Sequence, residues 1–221
     1  MTVKSNYQSE LEIGVDEAGR GPLFGRVYSA AVMIDNTFDT TRVKDSKKFS
    51  SKKRLIEAYT YVTEHSVAWG VASIDEKLID KHNIRQATFM AMHKAIRELL
   101  SKLSSKEGIT LLIDGDGFRP FLYLNDGQYS QLPHVCIKGG DSQYAAIAAA
   151  SIIAKVQRDQ YIEDLCEKYP LLDEYYGLSK NKGYGTKQHM EGLREHGITD
   201  FHRASFAPCK DKIKIDLQTT Q

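Results

Sequence analysis

Asp16, Glu17, Asp114 and Asp141 lie far apart in the chain, yet each follows an apolar run of the kind that forms a buried strand. "EIGVDEAGRG" carries Asp16 and Glu17, "ITLLIDGDG" carries Asp114, and "HVCIKGGD" carries Asp141. A carboxylate at a buried strand end costs free energy unless something positive compensates it: a basic side chain, a nest of backbone amides or a metal ion. Four carboxylates without matching histidines or cysteines suit hard, oxygen-seeking ions such as Mg2+ or Mn2+ and do not suit zinc. Two such ions about 4 Å apart hold both the attacking and the leaving oxygen of a phosphodiester, so the chemistry expected of the set is phosphodiester hydrolysis.

Any one of these acids alone reads as a cap or turn former; their joint placement at strand ends, where ligands of such sheets collect, is what points to a site. Asp116, two residues beyond Asp114, is the competing choice, and Asp114 is preferred because it terminates the apolar run. Adjacent residues of a regular strand face opposite ways, so Asp16 and Glu17 share a site only if the strand ends or bulges there. The glycines at 19 and 21 make such a break plausible.

Around the acids stand groups suited to a polyanion. "RVKDSKKFSSKKR" has seven basic residues against one acid, Lys47 among them. Taken alone it is a solvated helix start, and it becomes a phosphate contact only beside other signs of a nucleic acid. Gly19-Arg20-Gly21 lets backbone amides and a guanidinium approach a phosphate or sugar, and Tyr184 in "KGYGT" offers a ring to stack on a sugar or base. The seven histidines form no metal-binding spacing and read as structural or surface residues.

The elements that must position these groups follow from periodicity. Residues 11–16 and 26–34 read as strands joined by a short Gly-rich turn, hence an antiparallel pair, with residues 65–74 a third strand. Residues 75–101 read as one helix N-capped by Asp75. Strands at 109–114 and 134–138 follow, separated by turn signals that suit a short hairpin, then a long Ala- and Ile-rich helix from about residue 142. Thr186 caps a further helix that Gly197 ends. The order predicts an α/β fold, a mixed sheet with helices on its faces.

With 221 residues, 41% of them hydrophobic, and only 5 prolines, the chain suits a single domain over 1–221. A net charge of +1 advertises no polyanion partner, so any nucleic-acid footprint is local. Cys136, Cys166 and Cys209 form no Cys-x-x-Cys pair, which argues against a disulfide framework. No stretch approaches the roughly 18 apolar residues of a membrane span, and the expected location is the cytoplasm.

"GVDEAGRGPLFGRVYSAAV", "KDSKKFSSKKR", "LLIDGDG", "IKGGDSQYAAIAAASIIAKVQRD" and "GYGTKQHMEGLREHGITDFHRASFAP" together resemble the ribonuclease HII family, the type 2 ribonucleases H, from about residue 11 to 208. The resemblance implies an RNase H-like fold: a five-stranded mixed sheet flanked by helices, with a helical C-terminal portion from about residue 160. It implies cleavage of RNA in RNA/DNA hybrids and at single ribonucleotides in duplex DNA, leaving 5'-phosphate and 3'-hydroxyl ends. The family's four metal ligands fall on Asp16, Glu17, Asp114 and Asp141, its ribose-reading motif on Gly19, Arg20 and Gly21, and its substrate-reading tyrosine on Tyr184. Two Mg2+ or Mn2+ ions per site and a monomer without an obligate protein partner are implied as well.

Three departures stand out: the doubled Gly139-Gly140 before the last aspartate, a long link between Asp114 and the fifth strand, and a tail without a recognisable clamp-binding motif. The rival classes are a nucleic-acid-binding module that lost the reaction, for which loss of an acid would speak, and a junction resolvase or integrase, which would lack the "GRG" and "GYGT" pair.

Overall fold

The computed structural model describes residues 3–7, 11–125 and 127–217, so the tip of the expected Asn125–Gly127 turn and the last four residues of the tail lie outside it. The chain forms two compact units, each assembled from three separated segments: Met1–Ala18, Tyr28–Ala72 and Phe89–Val156 in one, Gly19–Val27, Ser73–Thr88 and Gln157–Gln221 in the other.

The first unit is built on a five-stranded mixed sheet. Strands β1 (Glu12–Ala18), β2 (Val27–Met33), β3 (Ala68–Ile74), β4 (Thr110–Asp114) and β7 (His134–Ile137) lie in the order β3-β2-β1-β4-β7, and β5 (Leu122–Asn125) pairs with β6 (Gln128–Gln131) in a separate antiparallel hairpin. β2 runs antiparallel to β1, whereas β4 is parallel to both β1 and β7. The pleat sorts the side chains by face. Ile13, Val15, Ala31, Met33, Leu111 and Ile113 pack with helix α3 (Ile84–Leu100) through Met92, Ala95, Ile96 and Leu99. Ala30 and Val32, on the other face, pack with helix α1 (Lys52–His65) and with Ala145–Val156 residues of helix α4 (Ala145–Lys168). On that face a methyl group at Gly14 would fall 2.1 Å from the Ala146 carbonyl carbon, so β1 lies directly against the helix backbone.

The second unit has its own core of Leu23, Phe24, Ile162, Leu165, Leu172, Tyr176, Leu178, Leu193 and Ile198. It contains α2 (Glu76–His82), α5 (Leu171–Tyr176), α6 (Leu178–Asn181) and α7 (Lys187–Glu195), which make up the helical C-terminal portion apart from α2. Thr186 caps α7 as expected, its hydroxyl accepting from the His189 amide, and Gly197 follows with φ at +86°.

Two expected boundaries need correction. Residues 75–101 are two helices, because Asn83 takes a left-handed φ of 65°, ends α2, and accepts the Gln86 amide at 3.1 Å to start α3. β1 also runs past the acids to Ala18, with Asp16 opposite Ala30 and Glu17 opposite Ser29, so there is neither a strand end nor a bulge at Asp16-Glu17. Among the described residues no helix is long and apolar enough to cross a membrane, and the three cysteines are free thiols.

Candidate active site

In the first unit, parallel register brings two acids together. β1 and β4 pair Val15 with Ile113, and one residue further along stand Asp16 and Asp114, on the same pleat face as Gly14 and Leu112. Asp141 arrives from the neighbouring strand. β7 pairs Ile137 with Asp114, the chain then turns through Gly139 at φ 63°, and Asp141 sits in a single 3-10 turn, Gly140–Ser142, ahead of α4. The Gly140 amide donates to Asp114 Oδ1 at 2.7 Å, and a methyl group on Gly140 would strike Ile147 Cδ1 at 2.5 Å. The doubled glycine thus serves two ends: Gly139 takes the left-handed turn, and Gly140 passes close enough to Ile147 that a side chain there would make that residue shift.

Oxygens of Asp16, Asp114 and Asp141 all lie within 4.8 Å of one another. Asp16 is 5% exposed and Asp141 6%. Burial first, then the charges of Glu17, Asp114 and Asp141, hold the Asp16 carboxyl well above the usual carboxylate range, although the Glu17 amide donates to it at 2.6 Å. Asp141 is raised in the same sense by burial and by Asp114 and Asp45, against the pull of Lys47. An all-oxygen cluster whose members disfavour each other's charge fits a hard divalent cation, which would relieve both burdens.

Glu17 does not join the three oxygens. The uninterrupted strand turns it to the opposite pleat face from Asp16, and it is half-buried there, though its charge still reaches Asp16. Asp116 is also outside the group; it is exposed and lies 3.9 Å from Lys138 Nζ.

Part of the basic run belongs to this site. Burial draws the Lys47 ammonium down, but Asp141, Asp16, Asp45 and Asp114 more than offset it and leave it above its ordinary value. Its turn is fixed from below: the Ser151 hydroxyl on α4 donates to Ser46 Oγ at 2.7 Å, Asp45 accepts the Lys47 amide at 2.9 Å, and Lys48 Nζ donates to Ser142 Oγ at 2.8 Å.

In the second unit, Gly19, Arg20, Gly21 and Tyr184 come together. A methyl on Gly21 would lie 3.5 Å from Tyr184 Cε1, and the Leu23 amide donates to the Gly183 carbonyl at 2.8 Å. Gly19 has φ +93° and its missing side chain would overlap the Arg158 guanidinium stem, so no other residue fits. Tyr184 is 49% exposed, with its ring available to a ligand. Arg158 Nη2 donates to the carbonyls of Phe24 and Lys182 at 3.2 and 2.8 Å, linking the two loops.

Sequence reasoning missed Arg158 and Arg203. Both are essentially buried, and both sit in sequence stretches already singled out, "AKVQRD" and "FHRASF". An arginine in a stretch that is otherwise core-forming is the signal that would have found them.

A family profile described as Ribonuclease HII matches residues 13–209. The chain belongs to the ribonuclease HII family. Ribonuclease HII of Parabacteroides distasonis is 41% identical over 205 residues, covering 93% of this chain and 94% of its own length. That of Bacteroides thetaiotaomicron is 40% identical over 196 residues, 89% of either chain. The crystal structure of ribonuclease H2 from Pyrococcus horikoshii OT3 superposes with a TM-score of 0.71 at 23% identity, covering 90% of this chain and 94% of the other, and shares its fold. Membership in the ribonuclease HII family makes the protein a type 2 ribonuclease H, a divalent-metal-dependent endonuclease that acts on RNA paired with DNA.

Proposed function

We propose that the protein cleaves the RNA strand of RNA/DNA hybrids and also cuts at single ribonucleotides embedded in duplex DNA, leaving 5'-phosphate and 3'-hydroxyl ends. The observation that carries the catalytic half is the triad of carboxylate oxygens within 4.8 Å, with Asp16 buried. Asp16, Asp114 and Asp141 would hold the metal, with Glu17 as the fourth carboxylate, whose field acts on Asp16. Bound there, two Mg2+ or Mn2+ ions supply charge stabilisation to the attacking and leaving oxygens of the scissile phosphodiester. Lys47 adds a cation beside the same carboxylates, suited to a phosphate oxygen.

The selective half rests on the second unit. Backbone amides and carbonyls of Gly19, Arg20 and Gly21 are the groups suited to a 2'-hydroxyl, which is what separates RNA from DNA at one site. Tyr184 offers its exposed ring to the adjoining sugar. The protein works as a monomer in the cytoplasm on this reading, with three free thiols in keeping with a reducing compartment.

The test is a duplex carrying one ribonucleotide, incubated with Mg2+, with Mn2+ and with chelator, and its products analysed for end chemistry. Cleavage at the ribonucleotide only with metal, leaving a 3'-hydroxyl, is the expected result. Metal-independent cleavage, or a 2',3'-cyclic phosphate, would contradict the reading.

A further inference from the structure

Two consecutive residues of the second unit reach opposite halves of the proposed ribose reader. Arg203 is fully buried, and its guanidinium is spent on one loop: Nε donates to the Gly25 carbonyl at 2.9 Å, Nη1 to those of Arg20 and Pro22 at 2.9 and 2.8 Å, and Nη2 to that of Gly19 at 2.6 Å. Its own amide donates to the Leu23 carbonyl at 2.9 Å. Burying an arginine is a poor route to stability, since apolar residues of like volume serve as well or better. A rigid fork that gathers carbonyls from four positions of one loop fixes instead the shape of that loop. Burial, and then Arg158, pull the Arg203 group down to about 9, against Glu76, Asp80 and Tyr184, which leaves it charged at neutral pH.

The preceding residue, His202, reaches the other half through a second histidine. The Thr199 amide points at His202 Nδ1 from 3.0 Å and the Thr199 hydroxyl lies 2.9 Å from the same nitrogen; the hydroxyl can turn to donate but the amide can only donate, so Nδ1 is assigned as the acceptor without a proton. A neutral His202 then holds its proton on Nε2, which lies 3.1 Å from His189 Nε2. His189 must accept there and therefore carries its proton on Nδ1, which donates to the Tyr184 carbonyl at 3.0 Å. Any other assignment sets two protons or two lone pairs face to face, because a protonated ring at either position would put a proton against the Thr199 amide or between the two rings. Both rings are buried, at 0% and 3% exposure, and burial lowers the proton affinity of each.

We propose that His202 and Arg203 are positioning residues for ribose recognition, Arg203 by fixing the 19–25 loop and His202 by fixing Tyr184 through a tautomer-locked contact with His189. The inference rests on the reader assigned above to Gly19, Arg20, Gly21 and Tyr184. The segment that carries the pair is itself anchored: Asp80 accepts the Ala204 and Ser205 amides, each at 2.9 Å, and Phe24 pairs with His202 in an antiparallel bridge. One pentapeptide, residues 199–203, therefore sets the spacing of both halves.

Two measurements test it. Long-range 1H–15N spectra of the wild-type protein at pH 7 should show His189 as the rarer Nδ1–H tautomer and His202 as Nε2–H; the reverse tautomers, or an imidazolium at either position, would overturn the relay. The ratio of kcat/KM on a single embedded ribonucleotide to that on a long hybrid should fall about tenfold in Arg203→Lys and in His189→Ala. It should recover in part in His189→Asn, whose amide can still donate to Tyr184, and Mn2+ affinity should not change in any of the three. Tyr184→Ala is the reference. If it leaves the ratio at the wild-type value, the reader itself is misassigned; if it lowers the ratio while Arg203→Lys and His189→Ala do not, the reader stands and the positioning role fails. Should the variants not fold, the wild-type tautomers decide the histidine half, and chemical-shift perturbation of the Tyr184 and Arg20 amides by a ribonucleotide-containing duplex, absent with all-DNA duplex if the reader holds, decides whether there is a reader to position.

Discussion

Asp16 and Asp114 follow Val15 and Ile113, the matched pair with which the parallel pairing of β1 and β4 ends, and Asp114 is held in place by the Gly140 amide at 2.7 Å. Parallel pairing makes this juxtaposition: it sets like ends of neighbouring strands side by side, so an acid just past each apolar run meets its counterpart. The cost is electrostatic, and it falls most heavily on buried Asp16.

That cost has a pH signature. Asp16 and Asp141 both bind protons more tightly in the folded protein than in the unfolded chain, so their favourable contribution is complete below the unfolded carboxylate pKa of about 3.9 and is lost as pH rises through the raised folded values. Metal-free Asp16→Asn should therefore melt above the metal-free wild type at pH 8, with the gap closing toward pH 4. Adding Mn2+ should raise the midpoint of the wild type and leave the variant nearly unmoved. Equal midpoints at pH 8 without metal would count against a strained Asp16.

Glu17→Gln separates the fourth carboxylate from the other three. With its side chain on the other pleat face, it should raise the metal concentration for half-maximal cleavage several-fold while retaining more activity at saturating metal than Asp16→Asn. A Glu17→Gln enzyme as inactive as Asp16→Asn at every metal concentration would mean that Glu17 swings into the cluster when metal binds.

Asp114→Asn should abolish cleavage and Asp116→Asn should leave it within about threefold, since only Asp114 contributes to the three-oxygen group. Steady-state rates at saturating Mg2+ decide between them, and the reverse pattern would move the ligand to Asp116.

Neutralising Lys47, Lys48 and Lys52 should weaken binding to all duplexes alike and flatten the salt dependence, by about one unit of slope for each phosphate left without its lysine. Binding isotherms over a range of salt give the slope directly. An unchanged slope would return the run to an ordinary solvated surface.

Much of this was legible because apolar runs and acids sit on the same strands. The apolar run in residues 26–34 and the nearly all-apolar run before Asp114 located a sheet, and the positions of Asp16, Asp114 and Asp141 after its apolar runs located the cluster. The sequence could not say where β1 stopped, because the Gly19-Arg20-Gly21 turn reads the same whether pairing ends at Val15 or at Ala18, and the direction of the Glu17 side chain turns on that difference. Asn83 hid a helix break, since apolar spacing continues across it and only its left-handed φ reveals the cap. The buried Arg203 and the His189–His202 contact were out of reach for a different reason: Arg203 is bonded to backbone carbonyls up to 184 residues away, the two histidines meet side chain to side chain across a turn of the fold, and no local pattern encodes such pairs.

The most direct test of the account is cleavage by Asp16→Asn, a change that removes one charge and keeps the shape of the side chain. A duplex with one ribonucleotide, and a long hybrid, should both be bound by the variant and both be cut at least about a hundredfold more slowly than by the wild type, in Mg2+ and in Mn2+, equivalent to a barrier about 2.7 kcal/mol or more higher. Retention of more than a few per cent of wild-type activity by a folded Asp16→Asn would contradict the assignment of the carboxylate cluster as the catalytic centre.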